Sequence, residues 1–231
     1  MKKRIAFLLL CVVVLCSCHN GRATAFTVNG HGVEKDELLF YMNRLLDVTV
    51  SELETQYDLD ETDQDFWNSP AGDTTPLEIL KSAAVEKITR IKVELLCAGE
   101  NGIERLPLDY SAQMRLWKRD NDERQRKDAH GETVYGSVLR SFYSFFQDGY
   151  LSTQNELKAA LEQQGKIVVS EGEMKTYYAV HRAEMTGSFE EMQNTIYGWI
   201  ANEKYEKYVD SLVEQAKIVY QDMTVDPADL T

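Results

Sequence analysis

The chain has 231 residues, with 38 acidic side chains against 25 basic ones, a formal net charge of −13. An excess of negative charge this large argues against a nucleic-acid binder and against adhesion to anionic lipid, since positive charge drives both. It favours solubility, and basic or unfolded polypeptides as partners.

Residues 1–17 read as an export signal. Lys2, Lys3 and Arg4 form a basic start, and Ile5 to Leu15 is an unbroken apolar run of eleven residues. That length suits the hydrophobic core of a signal peptide, whereas a membrane-spanning helix needs roughly 20 residues. Leu15-Cys16-Ser17-Cys18 closes the segment and resembles the bacterial lipobox, in which the cysteine sulfur receives a diacylglyceryl group before cleavage. The resemblance implies a lipid anchor on Cys18, a short tether over residues 18–23, and an extracytoplasmic body held at a cell membrane or outer membrane. An ordinary secretion signal with incidental cysteines is the competing reading. Removal of the signal takes three cations with it, so the net charge moves from −13 to −16. Cys11 and Cys16 leave too and Cys18 is modified, so only Cys97 keeps a thiol and no intramolecular disulfide is expected. Cys97 lies in an apolar helical stretch and reads as a packed thiol rather than a nucleophile.

Residues 24–231 read as a single domain, with four prolines in the chain and no low-complexity linker. Thr24 to Gly30 alternates and ends in a turn-forming Asn-Gly, the pattern of a strand. From Lys35 to about Tyr57 the apolar period becomes helical, with Leu38, Met42, Leu45 and Leu46 on one face. An acidic loop, Asp58 to Asp73, carries Phe66 and Trp67. Thr75-Pro-Leu-Glu78 is a capping box with Pro in the first helical position. The helix it opens buries Leu77, Leu80, Ala84, Ile88, Ile91 and Leu95 and stops near Asn101-Gly102. A polar helix follows over Ser111 to about Ala129, then a turn at Gly131–Gly136 and an aromatic helix over Ser141–Gln164. Ser170-Glu-Gly-Glu173 and Ser188-Phe-Glu-Glu191 are two further capping boxes, the second opening a helix to about Ala216. Lys217 to Val225 reads as a closing strand. Two lone strands at opposite ends of a helical chain satisfy their backbones most economically by pairing, so the expected fold is mainly α with a small antiparallel pairing of the N- and C-terminal strands.

Catalytic and metal-binding patterns are sparse. Gly30-His-Gly32 lacks the third glycine of a phosphate loop and reads as a strand-to-helix turn. Asp58, Asp60, Asp63 and Asp65 suggest calcium, but the loop lacks the required glycine and has Ser69 at the closing position, so a solvated acidic loop is expected. The four histidines, His19, His31, His130 and His181, are too scattered for a zinc or nucleophile constellation, and His181 beside Arg182 reads as a helix-surface residue. No catalytic residue, metal or cofactor is expected. Aromatic side chains offer a different prospect. Tyr41, Phe66, Trp67, Trp117, Tyr143, Phe146 and Trp199 could line an apolar crevice for peptides, against the alternative that each is core.

The order of segments resembles the SurA/PrsA-type (trigger-factor/SurA peptide-binding-like) extracytoplasmic chaperone domain. Val28-Asn-Gly-His-Gly-Val33 leading into Lys35–Arg44 looks like the family's opening strand and helix. Asp65-Phe-Trp67, Thr75-Pro-Leu-Glu78, Ile91-Lys-Val93 and Val134-Tyr-Gly136 continue the pattern, as does Val169–Tyr178, similar to the family's S-x-x-E-x-x-x-Y-Y helix. Ser188-Phe-Glu-Glu191 and Ala216–Tyr220 match its last helix and return strand. The similarity covers nearly all of residues 24–231, and the order of the motifs carries it. Glu34 departs from the family, standing where a Ser or Thr usually caps the first helix, a loss of about 0.5–1 kcal/mol. The second departure is larger: only Thr186 and Gly187 separate Met185 from Ser188, leaving no room for the parvulin isomerase domain that the family often carries there. The resemblance therefore implies a helical, SurA N-terminal-like chaperone scaffold that binds unfolded or extended segments of exported proteins without catalysis. An assembly lipoprotein with one dedicated protein partner, or a residual peptidyl-prolyl isomerase, are the other expectations carried forward.

Overall fold

A computed structural model of the protein describes residues 23–230; residues 1–17, which read as a signal, and Cys18 lie outside the described residues. The chain opens with β1 (Thr24–Val28) and β2 (His31–Glu34), followed by α1 (Lys35–Tyr57), α2 (Pro76–Glu100), α3 (Tyr110–Ala129) and α4 (Phe142–Gln163). A short α5 (Glu171–Val180) and a long α6 (Phe189–Glu214) come next, and β3 (Ile218–Tyr220) closes the sheet. The fold is mainly α, with one three-stranded antiparallel sheet in the order β2-β1-β3.

β1 pairs with β3 in the register Phe26–Tyr220, Thr27–Val219 and Val28–Ile218, so the two ends of the domain close on each other as expected. The third strand was not anticipated. Gly30-His-Gly32, read above as a strand-to-helix turn, belongs to a hairpin. Asn29 and Gly30 both take positive φ (51° and 84°), as a two-residue hairpin turn requires, and His31–Glu34 returns along β1. β3 is shorter than the expected Lys217–Val225. The amide of Gln221 donates the last rung to the Ala25 carbonyl (2.9 Å), after which Asp222 turns the chain by accepting from the Thr224 amide (3.1 Å).

The capping residues act as their chemistry predicts. Ser170 and Ser188 each accept from the amide three residues on, while Glu173 and Glu191 reach back to the cap amide. Thr75 makes half of its box: it accepts from the Glu78 amide, but the Glu78 carboxylate pairs with Lys81 instead (2.9 Å). Glu34 makes no cap bond on α1, the local loss expected for a residue of its type. Its carboxylate crosses instead to α3, accepting from the Ser111 amide (3.1 Å) and hydroxyl (2.6 Å), and so satisfies a first-turn amide there.

α2 is the axis of the body, packed by α1, α4, α6 and β1. Ile91, Lys92, Val93, Glu94 and Leu95 are consecutive and all buried, so this stretch has no solvent face. Each of its two charges is answered from a different side. Lys92 meets Glu37 of α1 (2.9 Å) and donates to the Leu108 carbonyl (2.6 Å). Glu94 accepts from the hydroxyls of Tyr150 in α4 and Tyr205 in α6 (the latter 2.7 Å) and from the Gln154 amide (3.1 Å). Burial raises the Glu37 carboxyl above its ordinary range, opposed by Lys92, and the same desolvation with Glu94 nearby pushes both tyrosines far up. Cys97, one turn further along α2, is a buried free thiol whose pKa is raised by desolvation. It sits with the core, where its apolar surroundings predicted it.

Candidate functional site

The aromatic residues singled out from sequence separate into several environments. Phe146, Tyr41 and Phe66 are 0 %, 3 % and 2 % exposed; they are packing residues in this structure and present no surface. Amphipathic spacing cannot distinguish a ring that faces a groove from one that faces another helix, which is why these three looked equivalent to the rest. Phe146 stacks on Tyr150 (5.3 Å) and meets Tyr41 edge-on, while Phe66 packs edge-on with Trp67 in a small cluster with Val50 and Leu53. Trp67 and Trp117 are half-buried; the Trp117 indole donates to the Arg140 carbonyl (2.8 Å), fixing the loop before α4. Tyr143 is partly exposed beneath the Arg44 guanidinium (4.1 Å to the ring centre). Trp199 is 42 % exposed on α6 and leans on Tyr177 of α5 (5.9 Å). The three tryptophans thus have three different sets of partners and do not form one crevice.

Trp199 lies beside an open surface groove between α5 and α6. α5 and the first half of α6 form a helical hairpin with its own small core of Met174, Met185, Ile196 and Ile200, flanked by Tyr178, Phe189 and Met192. The capping boxes at Ser170 and Ser188 fix where each helix starts, and the connection between them is a single 3-10 turn, Arg182–Glu184. A groove of about 630 Å³ runs between the helices, with Tyr177, Val180, His181 and Ile200 among its lining residues. Val180 is 73 % exposed. His181 ends α5 and stacks on Tyr177 (4.4 Å, 27°), a more specific placement than the plain helix-surface position expected of it.

The charged rim of this groove is neutralised within itself. Glu173 pairs with Lys204 (2.5 Å), which also donates to the Val168 carbonyl, and Glu203 pairs with Lys207 (2.7 Å). Bonds from Lys204 and from the Ser170 amide and hydroxyl hold the Glu173 carboxyl down at about 2. An apolar floor with paired charges along its edge can take up an extended apolar side chain without stranding an ion. Methionines beneath the floor add adaptability, because an unbranched thioether repacks at low cost.

Two other hollows differ in character. One, of about 680 Å³, lies where α2 runs into α3 and is walled by Leu95, Ile103, Leu106 and Leu116. The other, of about 490 Å³, lies between α2 and β3, where the buried Thr89 hydroxyl has no hydrogen-bond partner. The acidic loop read as a solvated segment uses its carboxylates on itself: Asp60 accepts from the Thr62 amide (2.9 Å) and hydroxyl (2.6 Å), and Asp63 from the Asp65 amide (3.0 Å). Among the described residues, no three His, Cys, Asp or Glu side chains gather in a geometry that could hold a metal ion.

The groove has no signature in the sequence. Tyr177 and Tyr178 were noted as family-like, yet Val180 and Ile200 carry no local signal, since they converge only when α5 folds back on α6. No protein-family model, curated protein or solved structure matches this chain.

Proposed function

We propose that this protein is a membrane-anchored, extracytoplasmic chaperone-like lipoprotein that binds unfolded or extended segments of exported proteins without catalysis. The observation that carries the reading is the open apolar groove of the α5–α6 hairpin, lined by Tyr177, Val180 and Ile200 beside Trp199 and backed by a methionine-containing core. Its capture mode is reversible and independent of ATP: a client's apolar side chain enters the groove, and the acidic body keeps the complex soluble. The order of segments that resembles the SurA/PrsA-type domain supports the same reading. The lipobox-like end of the signal supplies the anchor at Cys18 and, with it, the extracytoplasmic location.

The test is an aggregation assay with an unfolded client. The purified mature protein slows aggregation at near-stoichiometric ratios, and Val180→Asp with Trp199→Ala weakens that effect several-fold. Val180 is largely exposed, so its change costs about 0.5 kcal/mol or less. Trp199 is more than half buried against Tyr177 and its truncation costs about 1–2 kcal/mol, so urea denaturation of the double variant checks that it remains folded. Failure of the parent protein both to slow aggregation and to bind peptides overturns the proposal. One saturable partner in a pull-down, with no general client binding, would instead indicate an assembly lipoprotein, and turnover of a proline peptide would indicate an isomerase.

A further inference from the structure

We propose that the exposed face of α3 is a membrane-orienting surface that lies on anionic lipid headgroups. The inference rests on the lipid anchor of the proposed function and adds which side of the body faces the bilayer. Arg115, Lys118, Arg119 and Arg126 follow the spacing of one helical face and are all exposed. Asp122 is the carboxylate that α3 itself places on this face, Glu34 of β2 reaches the N-terminal end of the face at Ser111 (2.6 Å), and the neighbouring Glu123 is neutralised by Lys127 (2.8 Å). Among the described residues, Arg115, Lys118, Arg119 and Arg126 make no ion pair, unlike Arg90, Arg105 and Arg140, which are each paired with carboxylates. Four unpaired cations in a row of about 16 Å are a local exception on a strongly acidic protein.

Position links this stripe to the anchor. The described chain begins at Ala23, whose carbonyl accepts from the Lys35 amide (3.0 Å), next to Glu34. The Glu34 carboxylate in turn holds Ser111, which stands four residues before Arg115 on the same face of α3. The five Cα–Cα steps from Cys18 to Ala23 span at most about 18 Å even when fully extended. An anchor on Cys18 therefore keeps the first turns of α3 close to the bilayer. At physiological salt, charges beyond about 8 Å are largely screened, so the nearest stripe outweighs the net charge of the whole body. Each cation near an anionic surface strengthens contact about fivefold, and the tether turns that weak attraction into an intramolecular one.

The test compares two lysines in the same molecule. The full lipidated chain is placed in vesicles of neutral phospholipid, or of neutral phospholipid with about 30 % anionic phospholipid, where the charge-driven attraction applies. Acylation rates are then followed at Lys118 and at Lys207, which lies on α6. On anionic vesicles Lys118 should slow at least threefold relative to Lys207, with the protection abolished by high salt and by the Arg115→Glu/Arg119→Glu variant. Equal rates on both vesicles, with the protein still anchored, overturn this proposal and leave the anchor intact. Equal protection of Lys118 on neutral vesicles also overturns it, because the contact would then not depend on anionic headgroups. A mature chain without lipid on Cys18 removes the anchor, and this proposal falls with it.

Discussion

The body around α2 and the α5–α6 hairpin are built on opposite principles. In the body, Lys92 and Glu94 are fully buried and tied to Glu37, Tyr150, Tyr205 and Gln154. The partners come from three different helices, α1, α4 and α6, so all three must be correctly packed to satisfy both charges. The hairpin relies instead on two buried methionines, two buried isoleucines and surface ion pairs, which fit many arrangements nearly equally well. A buried polar network specifies geometry at a cost in desolvation, whereas an apolar mini-core under an open groove tolerates change. The polar network of the body therefore fixes where the hairpin sits, while the packing inside the hairpin is the more tolerant of substitution.

The sharpest way to break this contrast is Lys92→Ala. It leaves the Glu37 carboxylate buried without its cation, and urea denaturation should show a loss of about 3–5 kcal/mol. Replacing both partners, Lys92→Met with Glu37→Met, should recover much of that loss; if it does not, the pair contributes more than charge compensation. Tyr205→Phe is the next largest. Removing a hydroxyl that donates to the buried Glu94 carboxylate should cost about 1.5–3 kcal/mol on the same measurement.

Effects in the hairpin should be smaller and more local. Ser188→Ala removes the cap of α6 and should cost about 1 kcal/mol, with faster amide exchange confined to the first turns of α6. The smallest expected effect is a dependence on pH. Glu173 has a folded-state pKa of about 2, below the ordinary carboxylate value. Its contribution is therefore fully present above about pH 4.5 and lost as pH falls toward 2. Amide exchange in α5 should accelerate over that window, and Glu173→Gln should flatten the dependence. An unchanged profile in the variant would mean that another group governs the hairpin at low pH.

Much of the fold could be read from local chemistry. Ser170-x-x-Glu173 and Ser188-x-x-Glu191 marked two helix starts correctly because a capping box is a short-range pattern, complete within four residues. The pairing of the terminal strands followed from the need of isolated strands for partners. The hairpin strand His31–Glu34 was missed because four residues with two glycine-adjacent positions are too few to show a period of two. The aromatic candidates divided for a related reason: spacing identifies an apolar face, and only the neighbouring helix decides whether that face is covered, as at Phe146, or left open, as at Trp199.

Sequence by itself determined the helical class, the helix starts, the closure of β1 on β3 and the acidic character of the chain, since all depend on neighbouring residues or on composition. Tertiary structure alone decided that Lys92 and Glu94 are buried rather than solvated, because their partners Glu37, Tyr150 and Tyr205 are 55, 56 and 111 residues away. It alone decided that Glu34 serves the start of α3 and that Val180 and Ile200 share a groove. Contacts between residues so distant in sequence depend on how whole helices pack, and no local pattern records that.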